Sequence, residues 1–139
     1  MNESPIERLL AAIDRLDVEA VTALLAPEPR LLAVDGRRAE GTEEVRELVT
    51  AFLAALRSTT HEITAQWHVD NVWIAEVDAS YELRDFLRMD ALPRAVVLRE
   101  GPAGIADLRF YGAHEHPLSE HRTAEEWGRL VRGRWIPPL

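Results

Sequence analysis

The sequence predicts an α+β fold: a curved, mixed β-sheet that forms a cone around one long helix, with a short helical extension at the C-terminus. Three observations predict it. Two short amphipathic segments precede a longer one that opens at Gly41-Thr42-Glu43-Glu44. At His61 the hydrophobic period drops from helical spacing to two. Alternating segments then run on to about Tyr111. Helices followed by strands in this order wrap a sheet round a helix and leave a pocket whose expected lining is almost wholly apolar.

Each element has its own signal. Ser4-Pro5-Ile6-Glu7 is a capping box with proline at the first helical position, and Ile6, Leu9, Leu10, Ile13 and Leu16 repeat with helical spacing. Asp17 caps a second helix through Val18, Val21, Leu24 and Leu25, which Pro27 and Pro29 end. Arg30 to Val34 reads as a short strand. Asp35-Gly36 is a two-residue hairpin turn in which both positions can take positive φ, and the chain returns through Arg37 to Glu40. Thr42 is the expected cap of the long helix, whose apolar stripe is Val45, Leu48, Val49, Phe52, Leu53 and Leu56. His61 to Val69 and Trp73 to Glu82 alternate around a turn at Asp70-Asn71. Arg84 to Leu92 reads as a wide connection. Ala95 to Arg99 and Ile105 to Tyr111 are strands around the turn Gly101 to Gly104. Beyond Gly112 lie a polar loop, Ala113 to Arg122, and a short helix opened by Thr123-Ala124-Glu125-Glu126, with Trp127, Leu130 and Val131 on one side. The expected organisation is a cone domain over residues 1–118 and a helical tail over 119–139 packed on it.

Composition excludes several function classes. With 139 residues the chain is one domain with a real core. A net charge of -8 argues against nucleic acid as a partner, because phosphate contacts need a basic face. Cysteine is absent, so there is no disulfide, thiol nucleophile or thiolate metal site. No apolar run approaches the ~18 residues of a membrane span, and no signal peptide is evident, so a cytoplasmic protein without a membrane partner is expected. No metal, nucleotide or flavin motif is present, and no cofactor is expected.

Three stretches resemble the nuclear transport factor 2-like superfamily, especially its SnoaL-like and ketosteroid-isomerase-like members. Glu7 to Asp17 is similar to the family's first helix, Glu40 to Arg46 to the start of its long helix, and Gly104 to Tyr111 to its closing strand. The resemblance covers roughly residues 4–118 and implies the cone fold, usually as a homodimer. It does not carry the family's catalytic residues. The tyrosine of the steroid-isomerase branch falls on Leu9, its oxyanion aspartate near Ala95, and its base near Ala33, with Asp35 two residues on. The aspartate of the epoxide-hydrolase branch falls on Phe110, and the one that often closes the strand in SnoaL-like proteins on Ala113. Steroid-isomerase chemistry is therefore expected to be absent, since Leu9 and Ala95 offer no side-chain donor.

The candidate catalytic residues are Asp35 and Tyr81. Asp35 would be a general base if buried and facing the pocket, and is otherwise turn chemistry. Tyr81 offers a hydroxyl from an alternating strand. Helix and strand periodicity place Leu9, Ile13, Phe52, Trp67, Trp73, Val77, Tyr81, Val97, Leu108 and Phe110 on the pocket wall. Glu76 and Asp78, two apart on one strand, are expected to face solvent or a dimer partner. His114, Glu115, His116 and His121 have ligand-type side chains but no register to fix them, and no metal site is assigned. Apolar residues on both faces of the late strands (Val72, Ile74, Val96 and Leu98 against Trp73, Val77 and Val97) predict a homodimer through the sheet's outer face. Two functions fit. One is binding or transforming, in the manner of a cyclase or isomerase, a small hydrophobic molecule such as a polyketide, terpenoid or steroid. The other is a non-enzymatic homodimeric interaction or regulatory module whose pocket its own side chains fill.

Overall fold

The computed structural model describes residues 3–112. Three helices, α1 (Pro5–Asp14), α2 (Val18–Ala23) and α3 (Thr42–Ala54), accompany six strands: β1 (Leu25–Leu32), β2 (Arg38–Glu40), β3 (Leu56–Val69), β4 (Val72–Leu83), β5 (Arg88–Gly101) and β6 (Gly104–Gly112). The strands form one open, curved sheet in the order β2-β1-β6-β5-β4-β3. β1 and β6 run parallel and every other pair antiparallel, so the sheet is mixed. The loop histidines, the tail helix and the domain boundary near residue 118 lie outside the described residues. Among the described residues no helix is long and apolar enough to cross a membrane.

The capping box at Ser4 forms as its sequence implies: Ser4 Oγ accepts from Glu7 N at 3.0 Å, and Ser4 N donates to Glu7 Oε2 at 3.3 Å. Asp17 caps α2 through Ala20 N. The long helix is capped differently. Gly41, not Thr42, is its N-cap, at φ +89°, and Thr42 is the first helical residue. With no side chain at the cap, Glu44 reaches back to Glu40 N at 3.1 Å. In the hairpin turn only Gly36 takes positive φ (+92°); Asp35 does not. β1 begins at Leu25, before the two prolines, rather than at Arg30. The prolines are tolerated because pairing with β6 is interrupted by a register shift between Leu25 and Arg30.

Two irregularities decide which side chains face the helices. Ile63 pairs with Val77, but Ala65 pairs with Glu76, so β3 carries one extra residue at Thr64. Beyond this bulge Gln66 joins the inward face with Ala75, and Trp67 turns outward beside Ile74. In β5, Arg94, Val96 and Leu98 face inward, and Val97 faces outward. The sequence reading of β5 is thus off by one residue, which inverts the strand. The reason is that β5 starts at Arg88. A register shift opposite Ala79–Tyr81 and a positive φ at Ala91 hide the two-residue period in its first half.

Inside the sheet α1 packs Ile6, Leu9, Leu10 and Ile13 against Ala75, Val77, Val96, Leu98 and Leu108. A cavity-forming truncation on the inner face costs far more than one on the outer face. Leu98→Ala is expected to lower stability by about 2–5 kcal/mol, and Val97→Ala by about 1 kcal/mol, in urea unfolding. The reverse ranking would restore the register read from sequence.

Candidate functional site

Between α1, α3 and the inner face of the sheet lies a cavity with about 70 Å³ of space open to the centre of a water-sized sphere. One ordered water needs about 10–15 Å³ by this measure, so the space exceeds a single trapped solvent molecule. Leu9, Ile13, Phe52, Val77, Tyr81, Leu108 and Phe110 are among the residues that line it. Leu48 and Val49 of α3 join them, which is why the apolar stripe of that helix is only half-buried.

Trp67, Trp73 and Val97 do not line the cavity. Trp67 is 50% exposed on the outer face, because the bulge at Thr64 rotates it there. Val97 is on the outer face through the shifted parity of β5. Trp73 keeps the inward parity of β4 but sits toward the far end of the sheet. There it stacks on His68 at 3.6 Å and donates from Nε1 to Glu100 Oε1 at 2.8 Å.

Among the described residues three buried polar side chains break the apolar wall, and of these Tyr81 alone was expected. His61 lines the cavity from β3, its side chain 4% exposed. Its Nδ1 meets Asp14 Oδ1 at 2.6 Å, and its main-chain N–H donates to Asp14 Oδ2 at 3.2 Å. The carboxylate thus fixes both ring and backbone, and leaves Nε2 as the ring nitrogen that Asp14 does not engage. Tyr81 lies beside this ring, edge to face at 6.1 Å, and packs against Phe52 at 5.9 Å. Arg94, opposite Val77 on β5, is 4% exposed, and its guanidinium is near enough to Tyr81 to act on the phenol. Burial pushes the Tyr81 phenol above its ordinary value; the Arg94 guanidinium opposes this, and the Asp14 carboxylate adds to it slightly. Asp14, His61, Tyr81 and Arg94 therefore form a polar track across one wall.

His61 was legible as the start of an alternating run, and Asp14 as the end of α1, but nothing in their spacing joins residues 47 apart. Arg94 is the inward neighbour of Ala95, near which the family's oxyanion aspartate fell. Ala95 itself faces outward. The absence of donors thus holds at Leu9 but not on this strand, where Arg94 faces the cavity, nor on the neighbouring β4, where Tyr81 does. Asp35 lies in the turn between β1 and β2, where it accepts from Arg37 N at 3.1 Å and Arg37 Nε at 2.8 Å. Asp35 is outside the cavity lining, whereas its neighbours Ala33, Val34 and Arg37 are part of it. Glu76 and Asp78 are on the outer face. Among the described residues no group of three or more His, Asp or Glu side chains has metal-binding geometry.

Comparison with known proteins places this geometry in a family. The profile described as a SnoaL-like domain matches residues 6–103. No match was found among curated proteins. Similar solved structures include a protein of ketosteroid isomerase-like fold from Catenulispora acidiphila, in complex with trimethylamine. It is 17% identical, with a TM-score of 0.71 over 80% of this chain and 86% of that one. An LEH-like epoxide hydrolase from M. tuberculosis is also 17% identical, with a TM-score of 0.68 over 93% of this chain and 88% of that one. TerC co-crystallised with polyporic acid is 9% identical, with a TM-score of 0.66 over 78% and 88%. At these identities the likeness concerns the fold.

The raised Tyr81 ionisation has a consequence for stability. The folded state holds the phenolic proton more tightly than the unfolded state, whose tyrosine titrates near pH 10. This contribution is fully present below about pH 10 and is lost as pH rises through the folded value. Urea midpoints above pH 10 are expected to fall more steeply for the wild type than for Tyr81→Phe. Equal slopes would mean that Tyr81 is not buried as described.

Proposed function

We propose, for a chain that belongs to the SnoaL-like domain family, that the cavity takes a small, mainly apolar molecule and that His61 moves a proton on it in a cyclase- or isomerase-type reaction. The observation that carries this reading is the Asp14–His61 pair set into a largely apolar wall. Imidazole is the side chain suited to exchanging protons near neutral pH. A carboxylate on Nδ1 selects the tautomer with Nε2 free to accept. In this reading Leu9, Ile13, Phe52 and Phe110 select the molecule by shape and exclude water. Tyr81 donates a hydrogen bond to an oxygen on which charge develops. Polyketide, terpenoid and steroid skeletons have the required character; the cavity's size favours their smaller members. Asp35 keeps its turn role, and no cofactor takes part.

The outer face supports a homodimer as the working form. Trp67, Ile74 and Val97 form one cross-strand rank there, with Trp67 50% and Ile74 38% exposed. This is a different set from the one expected from sequence, because Val96 and Leu98 are buried inside. The non-enzymatic module reading shares this dimer but needs a filled pocket, which a cavity of about 70 Å³ does not favour.

Exchange of deuterium from D2O into the α-carbon of β-tetralone, a small enolisable probe, tests the proton-transfer reading. The wild type is expected to catalyse exchange above the buffer rate. His61→Gln should lower it by about 10²-fold or more, and Asp14→Asn by a smaller factor. Exchange unaffected by His61→Gln, or no exchange at all, contradicts the assignment. For the dimer, light scattering is expected to give twice the 15.7 kDa chain mass, and Trp67→Glu to shift it toward one chain. A wild type that is monomeric at micromolar concentration contradicts it.

A further inference from the structure

The outer face of the sheet carries charges of both signs, and they are sorted. Toward the β3 edge, Glu62 pairs with Asp78 across β3 and β4, and Glu76 stands two residues before Asp78. Among the described residues none of the three forms an ion pair, whereas Glu82, farther along β4, is held by Arg57 and Arg88. On the other side Arg30 of β1, Arg38 of β2 and Arg99 of β5 are exposed and likewise form no ion pair among the described residues. Two carboxylates lie among these arginines. Asp107 is taken by Arg109 at 3.0 Å, and Glu40 is the cross-strand partner of Arg30. Arg30, Arg38 and Arg109 line a recess with these two acids, with about 110 Å³ of space open to the centre of a water-sized sphere.

An apolar band separates the two groups. The register sets Trp67, Ile74, Val97 and Arg109 in one cross-strand rank. Glu76, Ala95 and Tyr111 form the rank on one side of it, and Val69, Val72, Arg99 and Asp107 the rank on the other. Apolar side chains therefore run diagonally, from Val69 and Trp67 at the β3 edge through Ile74 and Val97 to Tyr111 on β6. The unpaired acids lie on one side of that diagonal and the unpaired arginines on the other.

We infer that a second copy of this chain docks on this face with the two-fold axis lying along the apolar band, so that Glu62, Glu76 and Asp78 of each copy meet Arg30, Arg38 and Arg99 of the other. This rests on the homodimer reading and adds the orientation of the partner to it. A two-fold axis in the plane of a face-to-face contact sets each point against the point across the axis, so the surface must be complementary to itself. An axis along the band sets acids on arginines. An axis across it sets acids on acids, which like-charge repulsion disfavours. Two copies of net charge -8 also repel at long range, and oppositely charged corners supply the attraction that orients them. Elsewhere Glu19, Asp35, Glu82 and Asp107 each find an arginine within the chain, so the unpaired charges are a property of this face.

Charge reversal tests the orientation, with sedimentation equilibrium as the readout. One variant, Arg30→Glu with Arg38→Glu, makes both sides of the band acidic. The other, Glu62→Arg with Glu76→Arg, makes both sides basic. All four positions are exposed, so both variants are expected to fold. Each alone is expected to dissociate about tenfold or more readily than the wild type, and an equimolar mixture to form a mixed dimer tighter than either alone. Variants that dimerise as tightly as the wild type, or a mixture no tighter than its components, would overturn the orientation. If Trp67→Glu still dissociates the wild-type dimer in that case, the dimer itself stands. A monomeric wild type removes both readings, and is the outcome expected if the chain's own residues 113–139 or an unrelated protein cover this face.

Discussion

Helix α1 is attached to strand β3 at both of its ends, and the cavity exists because of that attachment. At the start of the helix Ser4 Oγ hydrogen-bonds Gln66 Oε1 at 2.6 Å, and Glu7 Oε1 accepts from Gln66 Nε2 at 3.4 Å. At its end Asp14 holds His61. Ten residues of helix rise about 15 Å, and five residues of strand extend about 16 Å, so the two contacts match in length. Parity is the obstacle. Residues 61 and 66 are an odd number apart, and a regular strand would put them on opposite faces. The extra residue at Thr64 brings both to the helix side, and Thr64 Oγ1 secures the bulge by donating to the Glu76 carbonyl at 3.2 Å. One inserted residue therefore allows the two-point attachment and also sends Trp67 to the outer face.

The same attachment accounts for the chemistry of the wall. Asp14 follows Ile13, a buried residue on the core side of α1, and emerges where the helix ends over β3. Its carboxylate remains 27% exposed while the imidazole it grips is nearly closed off. The solvated partner thereby supports a buried one, which reduces the desolvation cost of placing a polar group in an apolar wall. Across the sheet, Ala79 is the partner of His61 and Val77 the partner of Arg94. Residues no larger than valine at those points leave room for the imidazole, phenol and guanidinium to share one surface.

The Ser4 and Asp17 helix caps, the turn at Asp70-Asn71 and the overall order of elements were legible in the sequence because each depends on neighbours within a few residues, whereas the cap of α3 was read one residue late. The family likeness was legible for the same reason, in three short stretches. Side-chain parity survived only where strands are regular. It held along β4, where Val77 and Tyr81 face inward, and failed past Thr64 in β3 and throughout the apolar half of β5. A bulge leaves no mark on an alternating pattern except a change of phase, and Trp67 and Val97 were placed by the phase before it. The polar track was illegible for a different reason. Asp14, His61 and Arg94 come from three distant segments, and only the folded sheet brings their side chains to one wall.

The most direct test of this arrangement is the tautomer of the His61 ring, read from its nitrogen-15 chemical shifts at a pH high enough to neutralise the imidazole. The expected result is a single form with the proton on Nδ1, facing Asp14, and an unprotonated Nε2, with the Nδ1 preference lost in Asp14→Ala. A ring protonated on Nε2, or shifts averaged as in a freely solvated imidazole, would contradict both the two-point attachment of α1 and the proton-transfer site built on it.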